Sequence, residues 1–98
     1  MKNTINRESY FLTKTIQLKQ WKRVLDKLIS RAEKTKDRKK TELLHHIVKI
    51  QVKKARTEAK LRQLQNEKNG NRSNLKADFE KSWGDLRKAF LRASAKTE

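Results

Sequence analysis

Cysteine and proline are absent from the 98-residue chain, and glycine occurs only at Gly70 and Gly84. Without cysteine there are no disulfides, no thiol nucleophile and no cysteine-based zinc site. With so few helix breakers, little opposes long helices. A charged fraction of 39% beside 34% hydrophobic residues favours amphipathic helices over strands. Long apolar runs are missing too. Lys14, Lys19, Lys22 and Arg23 interrupt every stretch of signal-peptide length near the start, and no segment approaches the roughly 20 apolar residues of a membrane span. A soluble, cytoplasmic chain is expected. Histidine is confined to the neighbours His45 and His46, which point about 100° apart on a helix, so no metal or other cofactor is expected.

Acidic residues are the scarce charge: 11 Asp and Glu face 27 Lys and Arg, for a net charge of +16. The excess is concentrated in the first two thirds, with balances of +7 over residues 1–36, +7 over 37–73 and +2 over 74–98. Such a surface attracts polyanions in a salt-dependent way, and it also solubilises helices.

What is present is helical periodicity within one domain, residues 1–98. The pattern begins near Arg7, after a MKNTIN segment expected to fray. Phe11, Leu18, Trp21, Leu25, Leu28 and Ala32 follow alternating three- and four-residue spacing, interrupted at Lys14, and Val24 and Ile29 widen the seam. Between Glu33 and Glu42 no apolar residue occurs. That stretch is either a turn, with Asp37 or a nearby threonine capping the next helix, or an uninterrupted helix crossing water. From Leu43 to Leu64 the apolar residues divide into two stripes roughly 140° apart. Leu43, Ile47, Ile50, Leu61 and Leu64 form one, and Leu44, Val48, Val52, Ala55 and Ala59 form the other. Two stripes imply two partner helices.

The polar run at residues 66–74 reads as a turn, with Gly70 in a left-handed position and Ser73 or Asn74 capping a third helix. That helix places Leu75, Phe79, Trp83, Leu86, Phe90 and Ala93 within about 80° of one face. Gly84 either admits a close backbone or is a weak point costing roughly 1 kcal/mol against alanine. The fold expected is all-α: helices over about 7–35, 39–68 and 74–94. The first two form an antiparallel hairpin about 45 Å long, and the shorter third covers the second stripe. The alternative is one continuous rod about 90 Å long plus a short helix, dimeric so as to bury its stripes. The structural seam comprises Leu18, Trp21, Leu25, Leu28, Ile47, Ile50, Leu75, Phe79, Trp83, Leu86 and Phe90.

Candidate chemistry is sparse. Asp26, Glu33, Glu58 and Asp85 sit at spacings suited to surface ion pairs, with Glu58 and Arg62 in the favourable order, and no nucleophile stands beside an oriented base. No enzyme and no small-molecule substrate are expected. Two basic clusters could meet phosphates: Lys34, Lys36, Arg38, Lys39 and Lys40, then Lys49, Lys53, Lys54, Arg56 and Lys60. Their contacts would be backbone-directed and tolerant of nucleic-acid sequence. An anionic membrane surface is a weaker reading, through Phe79, Trp83, Leu86 and Phe90 with Lys81, Arg87, Lys88 and Arg92. For those aromatics the favoured role is the lid of the helical core.

Gln17, Leu18, Trp21, Asp26, Lys27, Leu28 and Ala32, then Leu43, Ile47 and Ile50, then Gly70, then LKADFEKSWGDLRKAF from Leu75 to Phe90 form a pattern. It resembles a family of small bacterial coiled-coil proteins often labelled stress-response proteins. The likeness spans about residues 10–95, and departs where Ser73 and Asn74 stand in place of a further tryptophan. It implies an association with stress, and no catalytic residue carries over from it. The expected function is that of a coiled-coil scaffold with a protein partner or self-association, and the rival is non-specific DNA or RNA binding.

Overall fold

The apolar spacing from Phe11 to Ala32 becomes one face of a 33-residue helix, α1 (Lys2–Lys34). The computed structural model describes residues 2–67, 70 and 72–97, with side chains for 8–67, 70 and 72–95, and adds α2 (Asp37–Asn66) and α3 (Arg72–Thr97). No strand occurs among the described residues. Helices of 33 and 30 residues would each run about 45–50 Å. The longest dimension of the molecule is 54 Å, so the continuous rod is excluded and α2 folds back along α1.

Two residues make that reversal. The Thr35 amide donates to the Ala32 carbonyl (3.2 Å) and its hydroxyl to the Arg31 carbonyl (2.6 Å), so this threonine closes α1 and does not cap α2. Lys36 occupies the N-cap in extended conformation with no side-chain cap bond, and Asp37 is already the first helical residue, at φ 63°. The expected cap by Asp37 or a threonine is thus replaced by a backbone reversal. Left-handed geometry costs a non-glycine residue roughly 1–2 kcal/mol, and aspartate tolerates it better than most. At the second turn the Glu67 amide reaches the Leu64 carbonyl at 3.4 Å. The left-handed position expected at Gly70 depends on its neighbours 69 and 71, which are not among the described residues. Since α3 begins at Arg72, Ser73 and Asn74 lie inside its first turn and do not precede it as caps. Residues 68, 69 and 71 fall outside the described residues.

The first stripe of α2 is the centre of the bundle. Leu43, Ile47, Ile50, Leu61 and Leu64 are buried, and Thr57 fills the gap between Ile50 and Leu61. Its hydroxyl donates to the Lys53 carbonyl at 2.7 Å and stands 3.4 Å from the Ser82 carbonyl of α3. Around this stripe close Leu18, Leu25, Leu28 and Ala32 of α1 and Phe79, Trp83, Leu86, Phe90 and Ala93 of α3, all buried, with Trp21 and Leu75 half-buried against them.

The second stripe is not covered. Leu44, Val48 and Val52 are 43%, 55% and 54% exposed, and Ala55 and Ala59 are exposed as well. The expectation that α3 would lie over it is overturned for a geometric reason. Three helices converging on one core each need a single apolar face, so α1 and α3 share the same stripe of α2.

Aromatic rings tie α3 to α1. Trp21 and Trp83 lie 4.5 Å apart between centroids, Trp21 and Phe90 5.2 Å, Phe79 and Trp83 5.6 Å, Tyr10 and Phe79 6.2 Å, and Tyr10 and Phe11 5.7 Å. All six aromatic residues of the chain belong to this network. Lys14, the one interruption in the α1 seam, has its amine 4.2 Å above the Trp83 ring and 5.4 Å from that of Tyr10. A cation over ring faces thus occupies the place of an apolar side chain.

A Cβ built on Gly84 would meet nothing within 4 Å, so no close backbone approach requires glycine there. Gly84→Ala is therefore expected to raise stability by about 0.5–1 kcal/mol, read as a higher denaturant midpoint. Trp83→Ala should lose about 3–5 kcal/mol. Trp21→Ala should lose less, because that ring stays half exposed, and equal losses would contradict this packing.

A candidate anionic-partner surface on α2 and α3

The register between α2 and α3 follows from two contacts: the Thr57 hydroxyl beside the Ser82 carbonyl, and the Lys60 amine 2.5 Å from the Asp78 carboxylate. Continued along antiparallel helices, this pairing sets residues 46–56 of α2 beside about 83–93 of α3. There the helices enclose an open groove of about 540 Å³. Val48, Val52 and Ala89 supply its apolar lining, and Lys49, Lys53, Arg56, Lys88 and Arg92 supply five cations against one carboxylate, Asp85.

The second basic cluster is therefore divided by the helix. Lys49, Lys53 and Arg56 line the groove, while Lys60 sits on the same side with its charge engaged by Asp78. Lys54 points toward α1, where it pairs with Glu58 at 3.1 Å and shares a shallow depression with Lys19 and Lys22. Glu58 thus takes the lysine four residues before it, not Arg62 four residues after. The first cluster is exposed around the α1–α2 reversal: Lys34, Lys36, Arg38, Lys39 and Lys40 form a basic end to the bundle. Phe79, Trp83, Leu86 and Phe90, the apolar half of the membrane reading, are buried in the core.

Helical arithmetic at 100° per residue separates Lys54 from Lys49, Lys53, Arg56 and Lys60, which fall within about 60° of one another. Lys88 and Arg92 join them only through the α2–α3 register, which has no local signature in the sequence. Next to this cationic edge, α2 turns an uncharged face outward. From Thr41 to Ala59, over roughly 120° of arc, it presents Leu44, His45, Val48, Gln51, Val52, Ala55 and Ala59 with no lysine, arginine or carboxylate.

His45 is exposed and His46 half-buried at the groove, with ring centroids 6.5 Å apart. Among the described residues no group of three or more His, Asp or Glu side chains is placed to hold a metal ion. No described helix is long and apolar enough to cross a membrane. Comparison with protein families, curated proteins and solved structures finds no match to the chain.

One titratable group stands apart from the groove. The Tyr10 hydroxyl donates to Glu80 of α3, and burial, then the hydrogen bond and charge of Glu80, push its pKa well above the ordinary tyrosine value. Folding thus favours the neutral phenol. Its contribution is fully present below the unfolded value of about 10 and is lost as pH rises toward the higher folded value. Tyr10 is the only tyrosine. Tyrosinate absorbance is expected to develop later in alkaline titration of the native chain than of the chain in denaturant, and coincident curves would refute the Tyr10–Glu80 contact.

Proposed function

We propose that this chain is a non-enzymatic helical interaction protein, a short coiled-coil scaffold working in the cytoplasm through a protein partner. The observation that carries this reading is the uncharged outer face of α2. In a chain with 39% charged residues, three large aliphatic side chains stay in water along a face that the bundle itself does not use. Apolar surface kept exposed and free of charge marks an interaction site. The resemblance read in Trp21–Ala32 and Leu75–Phe90 adds a bacterial stress setting to the proposal.

The groove cations and the basic end of the bundle favour a second reading, sequence-tolerant binding of DNA or RNA. Phosphates would be met by Lys49, Lys53 and Arg56 and by the cluster from Lys34 to Lys40. Single-strand binding by base stacking gains little support, since every aromatic ring is engaged inside the bundle.

Affinity capture by the native chain and by a Val48→Asp, Val52→Asp variant of matched melting temperature separates these readings. A protein, or a second copy, held by the native chain and lost by the variant is the expected result, and identical retention would remove the scaffold reading. Titration with mixed-sequence duplex over a salt series should show weak binding that disappears at physiological salt. Tight binding indifferent to the two valine changes would transfer the function to the nucleic-acid reading.

A further inference from the structure

The geometry points to the kind of partner: an amphipathic α-helix with an acidic edge, seated lengthwise on the outer face of α2. This rests on the interaction-protein reading and specifies the chemistry that the same surface would accept. The stripe from Leu44 to Ala59 is about 22 Å long, four turns of helix. It is bordered on the α3 side by Lys49, Lys53 and Arg56, with Lys88 and Arg92 across the groove. A helix lying on Val48 and Val52 would bring one of its edges against those five cations, where Asp85 is the single opposing charge. Carboxylates at helical spacing on that edge complete the complementarity.

Charge decides against the other occupants. A second copy brings another +16 and places the same cations at the contact. A bilayer would want aromatic anchors among the cations, yet all six aromatics are tied into the α1–α3 ring network. Nucleic acid would use the cations and leave the uncharged face of α2 idle.

The probe is a 21-residue synthetic peptide, about 30 Å as a helix, with leucine along one face and glutamate along both edges. Its partner control carries glutamine in place of every glutamate. Fluorescence anisotropy of the labelled peptide with the full chain is expected to show saturable binding, weakened about tenfold or more for the glutamine control. It should weaken comparably for Lys49→Gln, Lys53→Gln, Arg56→Gln combined, and for Val48→Asp, Val52→Asp combined. All five positions lie at the surface or groove, and circular dichroism checks that each variant remains folded.

Absence of saturable binding at low salt overturns the proposal. So does binding that the valine changes leave untouched, or that unstructured polyglutamate reproduces, since either is adsorption to positive charge alone. Displacement of the peptide by mixed-sequence duplex or by phosphatidylserine vesicles at lower concentration than by unlabelled peptide also overturns it, in favour of that competitor. If affinity capture depends on Val48 and Val52 while the peptide fails, the interaction reading stands and only the acidic helix is wrong.

Discussion

The bundle depends on one contact more than any other, the closure of α3 over the seam that α1 and α2 make between them. A two-helix hairpin would bury only a narrow line of leucines and leave Trp21 and the Ile50–Leu61 interval open to water. The face of α3 brings Phe79, Trp83, Leu86 and Phe90 into that opening. Against α2 the fit is close enough for the Thr57 hydroxyl to approach a backbone carbonyl of α3. Against α1 the gap is wider, and rings span it. Small and aliphatic side chains line the near side, aromatic ones the far side, and the difference in size accommodates both spacings at packed density.

Much of this was legible as periodicity. The seam positions of α1, the first stripe of α2 and the face of α3 follow from apolar spacing, and the structure buries them apart from Phe11, Trp21 and Leu75, which pack half-buried against the core. The assignment of α3 to the second stripe failed because periodicity shows which faces are apolar and not which faces meet. A face can be apolar for the bundle or for something outside it, and Val48 looks the same in either role. Thr57 was invisible for the opposite reason: a polar residue at a core position reads as an interruption until its hydroxyl is seen bonded to the Lys53 carbonyl. Lys14 was an interruption of the same sort, explained only by rings contributed by its own helix and by α3.

The candidate surface was half legible. Lys49, Lys53 and Arg56 share a helical face by arithmetic alone. Their union with Lys88 and Arg92 needed the register that Thr57 and Lys60 establish with α3, a relation between residues far apart in the chain. The charge of +16 is also distributed unevenly in space. It gathers at the hairpin end and along the α2–α3 groove, whereas the outer face of α2 is kept clear. A strongly positive edge and an uncharged apolar face thus lie side by side on α2.

The ring stack has a consequence for observing the molecule. Its only two tryptophans sit on the first and last helices and meet as a tilted pair, at 4.5 Å and 31° between planes. Neither indole samples the hairpin alone. The near-ultraviolet optical activity of the pair is therefore a built-in gauge of whether the C-terminal helix is docked, and it would vanish on undocking even while the far-ultraviolet signal of three intact helices persisted.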